Sequence, residues 1–479
     1  MTIVAVDDTD SRTDGMCTTY VATLLAERLA DADARVRRRL LVRLNPAVKH
    51  KTRGNAAVAL HVDGGDAATT FEHARDLVSE LAVHNDPRTS PGVVVADVDV
   101  AGDPFDPETS PIPDAVGAFA RRALRERLAL DEALALADDH GFRHAGIEAD
   151  ADAGAEAASD EDAEATPSVE GRGRIGALAA VGAPLAFEDW THEHVSYRKF
   201  DRCGTPREVD ADSAFTAAER GYPTVWDTVD RGTGEVVCVP NAPGPILHGI
   251  RGDDPEACRT VAAAIASEPV DRAATFLTNQ GTDAHVAPGR IGELRDGAGY
   301  RVAGTVTDDP ETKQGGHVHV DVAGSSDEGP TLRCVAFAPT GRFRDRVRAL
   351  RPGDRVTVCG EHEVREATEA TEATAETDSG NSTSTERSTL KLEKLAVRDL
   401  VRTELVTPTC PDCSRRMSSA GRGQGYRCRD CDTSVPGRVE RPIDRALEPG
   451  WYEVPPSARR HVAKPLVRGG FDAETHPER

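Results

Sequence analysis

The chain has 479 residues, of which 81 are acidic and 58 basic, and its formal net charge is −23 at pH 7. This length predicts three or four domains rather than a single core. The chain has no leading charged-then-apolar segment and no run of about 18 apolar residues, so secretion and membrane spanning are disfavoured and a cytoplasmic protein is predicted.

Only seven of the 58 basic residues are lysine, and arginine supplies the other positive charges. An acidic, lysine-poor, alanine-rich and aromatic-poor surface is expected in a very salty cytoplasm, where it keeps a protein dissolved. We therefore expect a halophilic origin. The net charge does not exclude a nucleic-acid partner, because the acidic background can hide local basic patches.

The first apolar run, Thr2 to Val6, predicts a buried strand that ends in an acidic turn containing Asp7, Asp8 and Asp10. Carboxylates so close together repel one another unless a cation lies among them, and Mg²⁺ prefers a few carboxylates together with phosphate oxygens. A helix is predicted to start near Thr18, where its free N–H groups favour an anion such as phosphate. The alternative is an Asp- and Thr-rich turn that only caps a helix.

Alternating strands and helices predict α/β or α+β packing in the first domain. Lys49, Lys51 and Arg53 stand out in a lysine-poor chain and suit phosphate, although they could form no more than a positively charged loop. Residues 148–164 are almost all Ala, Asp, Glu and Gly, which predicts a disordered insertion. The glycine-rich stretch 171–178 favours a tight packing turn over a phosphate loop. The predicted strands are 40–44, 56–62 and 93–95, and the predicted helices are 70–83, 113–128 and 131–139.

The next stretch, 191–285, predicts the βαββαβ order of a ferredoxin-like fold. Polar turns at 241–245, 249–252 and 279–283 could orient a small ligand or simply link strands. The predicted strands are 193–200, 224–229, 235–240 and 274–279, and the predicted helices are 209–219 and 255–266.

Residues 286–400 predict a small OB-type barrel, a common oligonucleotide platform. A second Ala/Thr/Glu/Ser tract, 366–387, predicts a flexible excursion within it. The predicted barrel strands are 300–306, 317–322, 331–338, 355–358 and 390–401.

Ten cysteines occur, and six of them are scattered as expected for free thiols in a reducing compartment. The other four form two C-x₂-C pairs separated by fourteen residues, which predicts a closed four-thiolate Zn²⁺ site of structural type. A disulfide pair or an iron centre are the alternatives. The predicted zinc ligands are Cys410, Cys413, Cys428 and Cys431.

Basic residues surround this cysteine cluster and continue into the C-terminal tail, 441–479. Such a local basic patch in an acidic protein favours nucleic-acid binding, with a small protein–protein knuckle as the alternative. The tail could equally fold back on the body. The candidate nucleic-acid contacts are Arg415, Arg416, Arg427, Arg459, Arg460 and Lys464.

Several motifs occur together in a specific order. They are VDDTD with GMCTT, RLNP with KTRGN, GRGRIGAL, GIRG, TNQGTD, GGHV, the paired CxxC knuckles and ARRHVAKP. In these motifs the chain resembles the archaeal tRNA-isoleucine 2-agmatinylcytidine synthetases over nearly its whole length. The resemblance implies a multidomain α+β protein with a kinase-like α/β domain (1–190), a ferredoxin-like domain (191–285), an OB fold (286–400), a zinc ribbon (401–440) and a basic tail.

The resemblance also implies the reaction. With ATP and agmatine, such enzymes modify the wobble cytidine of an isoleucine tRNA with a CAU anticodon, so that it decodes AUA. Phosphorylation turns the poor leaving group at ring carbon C2 into a good one, which the primary amine of agmatine then displaces. ATP is cleaved to AMP, and a phosphate passes to a threonine that corresponds to Thr18.

The expected site residues follow from this resemblance. Thr18, Asp7, Asp8 and Asp10 are catalytic, and Asp7 and Asp8 also hold Mg²⁺. The candidates for ATP and its phosphates are Gly15, Lys51, Arg53 and Asn55, and those for agmatine are Asp189, Tyr197 and Asp283. The zinc ribbon, OB fold and tail would hold the tRNA through the basic residues named above and extrude the target base.

Two other classes of function remain as alternatives. One is a non-catalytic nucleic-acid-binding protein built on the OB fold and zinc ribbon, which leaves the acidic turn unexplained. The other is an ATP-dependent enzyme that acts on another RNA or on a small molecule.

Overall fold

The structure is a computed structural model that describes residues 1–49, 54–98, 102–147, 171–324, 329–366 and 386–479. Lys51, Arg53 and the tract predicted to be disordered at 148–164 lie outside these residues. Within the described ranges, no helix is both long and apolar enough to cross a membrane.

The first unit is a sheet with helices on both faces, and all of its neighbouring strands are antiparallel. Ile3 and Ala5 face one helical layer, whereas Val4 and Val6 face the other, as strand alternation requires. Its strands are β1 (Thr2–Asp7), β2 (Arg35–Arg43), β3 (Ala56–Asp63), β4 (Gly92–Asp97) and β5 (Arg143–Gly146), and its helices are α1 (Thr18–Asp31), α2 (Ala67–Leu81), α3 (Asp114–Ala123), α4 (Leu130–Asp139) and α5 (Gly173–Gly182).

The second unit has the order strand–helix–strand–strand–helix–strand. Its strands lie in the order β9-β6-β8-β7, and each neighbouring pair is antiparallel. The elements are β6 (Thr191–Arg198), α6 (Ala211–Gly221), β7 (Val225–Trp226), β8 (Ile246–Gly252), α7 (Pro255–Ala264) and β9 (Val270–Thr278).

One strand of this unit was wrongly predicted. Residues 235–240 contain only an isolated bridge at Glu235, and the strand is β8, which includes the supposed turn 249–252. At Gly249 and Gly252 of β8, neighbouring atoms leave no room for a side chain. A Cβ on Gly249, for example, would lie 2.7 Å from Glu193 Oε1. The glycines therefore mark close approach within a sheet rather than a turn.

The two units share one nine-stranded sheet, in which β2 runs parallel to β9. Leu40 is registered with Leu277, and Leu41 with Thr278. The sheet continues through the side chain of Asn279, which accepts from the backbone nitrogen of the last β2 residue at 2.7 Å and donates to its carbonyl oxygen at 3.0 Å. The predicted boundary at residues 190 and 191 therefore falls inside a continuous sheet.

The third unit is a closed barrel. Its five main strands pair in the cycle β11-β13-β14-β16-β15-β11, with β14 and β16 parallel. Its elements are β10 (Val286–Pro288), β11 (Ala298–Val306), β12 (Glu311–Thr312), β13 (Val318–Ala323), β14 (Thr331–Ala336), α8 (Arg342–Arg348), β15 (Arg355–Glu366) and β16 (Glu386–Asp399).

The tract predicted to be flexible at 366–387 begins and ends inside β15 and β16, and its interior, 367–385, lies outside the described residues. The cysteine-containing segment forms two small sheets, β17 with β21 and β18-β19-β20. These strands are β17 (Thr403–Val406), β18 (Ser418–Ser419), β19 (Tyr426–Arg427), β20 (Ser434–Val435) and β21 (Val439–Pro442).

The C-terminal segment folds back on the body. Strand β22 (Gly450–Glu453) joins the barrel sheet beside β16 and pairs with β23 (Thr475–His476). Trp451 is buried there, at 1% exposed. The segment is therefore part of the core and not an extended tail.

Candidate active site

The acidic turn lies directly after β1 and is held from several sides. Asp8 adopts a left-handed backbone with φ 59°, and its N–H donates to Asp7 Oδ1 at 2.7 Å. Its own carboxylate accepts from Arg172 at 2.9 Å and from the backbone N–H of Ser90 at 3.3 Å. These contacts fix the direction of the Asp8 carboxylate before any ligand arrives.

The glycine-rich start of α5 packs against this turn. A Cβ on Gly176 would clash with Asp7 Oδ2, and a Cβ on Gly173 would lie 2.8 Å from Asp7 O. Only glycine lets the helix come so close. The motif predicted to be a packing turn therefore packs on the acidic turn, and Gly173 and Gly176 also line the cavity described below.

The carboxyl groups of this turn have shifted pKa values. Burial, followed by repulsion from Asp8, raises the pKa of Asp7 well above its ordinary value. Burial also raises the pKa of Asp8 to about 6, although Arg172 opposes the change. A cation among these groups would remove both penalties, because it stabilises the ionised forms.

Thr18 is the first residue of α1 and is buried. Its hydroxyl lies 3.1 Å from the hydroxyl of Thr9 in the acidic turn. Cys17 precedes the helix in an extended conformation and provides no side-chain cap, and it lines the cavity together with Thr18 and Thr19. The Thr18 hydroxyl therefore has the helix dipole on one side and the carboxylates on the other.

A cavity of about 440 Å³ lies where the two halves of the nine-stranded sheet meet. The acidic turn and Thr18 both form part of its wall. Cationic side chains from four different segments surround the same space, as a polyphosphate would need. These cations, which we call the cationic wall, are Arg43, Lys49, Arg127 and Arg172.

The second unit contributes a carboxylate to the cavity. Glu193 is only 7% exposed, and its Oε2 lies 3.9 Å from Arg43 Nη2. The same oxygen accepts a hydrogen bond from Gln280, and Gly249 leaves room for the side chain. Glu193 is thus a buried, anchored negative charge, as recognition of a cationic ligand requires.

The C-terminal segment also reaches this cavity through His461. His461 is an exposed residue by its accessible surface, and it lines the cavity. Burial, Arg43 and Arg251 hold the pKa of His461 well below its ordinary value. Its imidazole is therefore neutral near neutral pH.

The predicted phosphate residues have different positions. Asn55 lines the cavity and donates to Asn45 O at 2.7 Å. Gly15 has φ 90° and packs so tightly on Pro243 that a Cβ would clash with the Pro243 carbonyl oxygen. Gly15 shapes the loop and does not line the cavity.

None of the three predicted agmatine residues lines this cavity. Asp189 pairs with Arg468 at 2.9 Å, and Asp283 with Lys394 at 2.6 Å. Tyr197 is fully buried in the core of the first unit. Asp189 and Asp283 are thus engaged by cations outside the cavity, and Tyr197 is engaged by Thr19 and Thr23 of α1.

The four cysteines converge as predicted. Their sulfur atoms all lie within 4.8 Å of one another, and a tetrahedral zinc site with Zn–S near 2.3 Å needs sulfur atoms about 3.8 Å apart. Backbone amides of Asp430 and Cys431 lower the pKa of Cys428 to about 7, which favours the thiolate. All four ligand positions would be filled by sulfur, so the site is structural.

The basic residues predicted to contact nucleic acid divide into two groups. One group is exposed on the zinc-binding segment and consists of Arg415, Arg416 and Arg427. The other group belongs to the C-terminal segment. There the Arg459 side chain is only 2% exposed and is paired with Asp227 and Glu453.

The two remaining members of the second group also have partners within the protein. Arg460 pairs with Glu361 and Glu393 of the barrel, and the backbone nitrogen of Lys464 donates to Asp283 at 2.7 Å. The C-terminal segment therefore uses its basic residues largely to attach itself to the other units.

Sequence reasoning missed Arg43, Arg172, Glu193 and His461 as cavity residues. Arg43, Arg172 and His461 were within the quoted motifs RLNP, GRGRIGAL and ARRHVAKP, which was the available signal. Glu193 had no such signal, because its position depends on β6 lying beside β9 in the shared sheet.

These features define a class of protein. A buried acidic turn, a helix-initiating hydroxyl and a cation-lined cavity constitute an enzyme site for phosphate chemistry, and the zinc-binding module adds an exposed basic surface.

Comparisons with known proteins agree with this class. Family profiles described as the TiaS TCKD domain, the TiaS FLD domain and the TiaS C-terminal zinc ribbon domain match residues 3–71 with 63–149, 171–285 and 407–447. The isoleucine-tRNA 2-agmatinylcytidine synthetase TiaS of Haloquadratum walsbyi is 47% identical over 515 residues, covering 100% of both chains.

Solved structures are also similar. The complex of TiaS with isoleucine tRNA and ATP is 36% identical with a TM-score of 0.80, covering 100% of this chain and 99% of that chain. The complex of TiaS with isoleucine tRNA, AMPCPP and agmatine is 34% identical with a TM-score of 0.77 and the same coverage. The chain belongs to the family of tRNA-isoleucine 2-agmatinylcytidine synthetases.

Proposed function

We propose that this chain uses ATP to join agmatine to C2 of the wobble cytidine in a CAU-anticodon isoleucine tRNA, through a phosphorylated cytidine. The modified tRNA would decode AUA. One observation carries the proposal: a single cavity brings together the acidic turn, Thr18 and the anchored carboxylate Glu193. Phosphate activation and amine binding thus share one space in a chain similar over its full length to agmatine- and ATP-binding relatives.

The cationic wall receives the ATP phosphates. Its charges come from separate segments, and the N-termini of α1 and α5 face the same space. Lys51 and Arg53 follow Lys49 of the cationic wall closely in sequence. They remain proposed phosphate ligands, although they lie outside the described residues. Asn55 lines the cavity, and Gly15 shapes the loop before α1.

Asp7, Asp8 and Asp10 suit Mg²⁺, since three carboxylates of one short turn line the cavity and two of them are penalised by their burial. Bound there, Mg²⁺ would neutralise charge that develops on the phosphates. Thr18 then presents its hydroxyl beside Thr9 as the acceptor of a phosphate.

Glu193 replaces the agmatine ligands that the sequence suggested. Agmatine carries two positive charges near neutral pH, and a buried carboxylate that Gln280 orients is a ready partner for one of them. Asp189, Tyr197 and Asp283 keep structural roles in this proposal, because the two carboxylates have partners outside the cavity and Tyr197 is fully buried.

The tRNA would bind across the barrel and the zinc-binding segment. The barrel cycle with parallel β14 and β16 supports an OB-type assignment, and the order β9-β6-β8-β7 supports a ferredoxin-like one. The first unit would be the kinase-like domain. We also propose a halophilic, cytoplasmic setting, which suits the charge of −23 and the free thiols.

The test is incorporation of radiolabelled agmatine at high KCl with Mg²⁺ and ATP. We expect label in isoleucine tRNA with the CAU anticodon and none in methionine tRNA with the same anticodon. Labelling of neither tRNA by folded, zinc-loaded, ATP-binding protein would contradict the proposal. ATP turnover that needs no tRNA would favour an ATP-dependent enzyme on another substrate.

Thr18→Ala should lower incorporation by more than about a hundredfold, because it removes the proposed phosphate acceptor. Thr18→Ser keeps a hydroxyl and should retain a measurable part of the activity. Filter binding should show unchanged tRNA affinity for both variants. Full activity of Thr18→Ala would refute the role of Thr18.

A further inference from the structure

His461 is the one histidine among the described residues that line the proposed catalytic cavity, and no step of the reaction has used it so far. The other lining residues all lie between positions 7 and 246, so the C-terminal segment supplies a single side chain to this site. Its neighbours Arg459 and Arg460 belong to ion pairs, whereas His461 lines the cavity.

The segment around His461 is anchored on both sides, so the position of the ring is well determined. The backbone oxygen of His461 accepts from Gly281 N at 2.8 Å, and Val462 O accepts from Asp283 N at 2.9 Å. Arg460 pairs with residues of the barrel. The barrel and the loop after β9 thus hold His461 in the cavity wall together.

The charges that face His461 come from two strands of the shared sheet. Arg43 on β2 and Arg251 on β8 both disfavour a positive imidazole, and burial acts in the same direction. Arg251 lies 3.9 Å from Asp227, and Arg43 lies 3.9 Å from Glu193 on β6. The imidazole is therefore neutral, with a lone pair on one ring nitrogen, and it has Arg43 as a neighbour in common with the proposed agmatine ligand.

The reaction needs such a group. The primary amine of agmatine is protonated near neutral pH, and an ammonium nitrogen has no lone pair with which to attack C2. The cationic surroundings that lower the pKa of His461 would also lower the pKa of an ammonium bound there. The two pKa values therefore shift in the same direction, and the surroundings do not widen the gap that transfer of the proton to the imidazole has to cross.

We propose that His461 is the general base that takes this proton, an assignment that rests on the proposed function. The freed lone pair forms the N–C2 bond, and the C2–O bond then breaks. Its electron pair leaves with the phosphate, which takes the second proton of the attacking nitrogen. Atoms and charge balance without any further reactant.

The carboxylates of the cavity have contacts that favour other roles. Glu193 Oε2 is engaged by Gln280 and faces Arg43, so it holds a cation in place. Glu126 is paired with two arginines outside the cavity. The acidic turn is the proposed site of Mg²⁺ and the ATP phosphates. Among the described residues of the lining, His461 is the one imidazole, and it has Arg43 as a neighbour in common with the proposed agmatine ligand.

The test compares two nucleophiles in His461→Gln and His461→Asn, which place an amide near either ring nitrogen. One nucleophile is agmatine, and the other is its aminooxy analogue, whose nitrogen is unprotonated at neutral pH and needs no base before attack. His84→Gln is the control, at a histidine outside the cavity whose Nε2 lies 3.0 Å from Ser79 O. Incorporation and tRNA-dependent AMP formation are measured for each protein.

We expect both variants to keep tRNA-dependent AMP formation and to incorporate agmatine at least about a hundredfold more slowly than wild type. Incorporation of the aminooxy analogue should stay within about tenfold of wild type, because general-base catalysis is no longer needed. Equal losses with both nucleophiles, loss of AMP formation, or no loss at all would overturn the assignment. Absence of incorporation by the wild-type protein would instead overturn the proposed function, and the assignment with it.

Discussion

At the scale of single residues, the cavity depends on side chains held in costly states. Asp7 is buried beside the nearly buried Asp8, and Asp8 has a left-handed backbone. Such strain and repulsion persist only where the surrounding structure enforces them, and they concentrate at functional sites. Here Arg172 and Ser90 hold Asp8 by hydrogen bonds, and α5 packs against Asp7.

Glu193 provides a sharp residue-scale test of agmatine binding. Glu193→Gln should raise the KM for agmatine by about ten- to a hundredfold, since a hydrogen bond to a charged group contributes about 1.5–3 kcal/mol. The control is Asp189→Asn, which removes a carboxylate paired with Arg468 outside the cavity and should leave this KM unchanged. The reverse result would restore Asp189 as the agmatine ligand.

His61 on β3 makes a pH-dependent contribution to stability. Burial, followed by Arg38, lowers its pKa in the folded protein to about 4. Because the folded pKa lies below the unfolded value of about 6.5, this contribution is complete above the unfolded value and is lost as the pH falls toward 4.

Between about pH 7.5 and pH 4.5, wild type should therefore lose about 2 kcal/mol more unfolding free energy than His61→Phe. Chemical unfolding at constant KCl measures this difference. Phenylalanine cannot take up a proton, so equal losses in the two proteins would contradict the assignment.

At the scale of elements, α5 shows how small residues position Asp7, a proposed catalytic group. Gly173 and Gly176 bring the helix onto the acidic turn, and the rest of the helix is buried among β1, β3, β4 and α3. Gly176→Ala should lower incorporation by at least about tenfold, because the new methyl group would displace the Asp7 carboxylate from its place in the cavity.

The expected loss opposes the intrinsic preference of a helix, in which alanine is favoured over glycine by about 0.5–1 kcal/mol. Gly437→Ala is the control, since nothing lies within 4 Å of a Cβ there. Incorporation assays and thermal unfolding on both variants separate activity from stability. Full activity of Gly176→Ala would show that Asp7 tolerates displacement.

At the scale of the whole molecule, buried ion pairs connect units that are distant in sequence. Arg459 joins β22 to the second unit through Glu453 and Asp227, and Arg342 joins the barrel to Asp230. The exposed arginines of the zinc-binding segment lie elsewhere. The proposed function therefore gives stability and RNA binding to different arginines.

Two substitutions test this division. Arg459→Met should destabilise the protein by about 3–5 kcal/mol, because it leaves two buried carboxylates without their partner. Arg416→Ala should leave the unfolding temperature unchanged, weaken tRNA binding, and reduce the salt dependence of binding by about one phosphate contact. If Arg459→Met weakened tRNA binding without destabilising the fold, Arg459 would be an RNA contact after all.

The sequence by itself determined the local features of this protein. Strand β1, helix α1 and the barrel strands were predictable because apolar periodicity reports burial within one element, and the zinc site was predictable because its ligands come from two short motifs. The acidic turn and Thr18 could be named for the same reason: they are neighbours in the chain.

Only the tertiary structure decided what depends on distant pairing. The pairing of β2 with β9 joins the first two units into one sheet. The cavity lies between the two units, and its lining includes both Glu193 and the acidic turn. Distant partners also decide three other features: the position of β8, the burial of Arg459 and the place of His461 in the cavity wall. Arg459, for example, pairs with Asp227. No local pattern encodes such pairings, because side-chain packing and charge complementarity between separate segments select them.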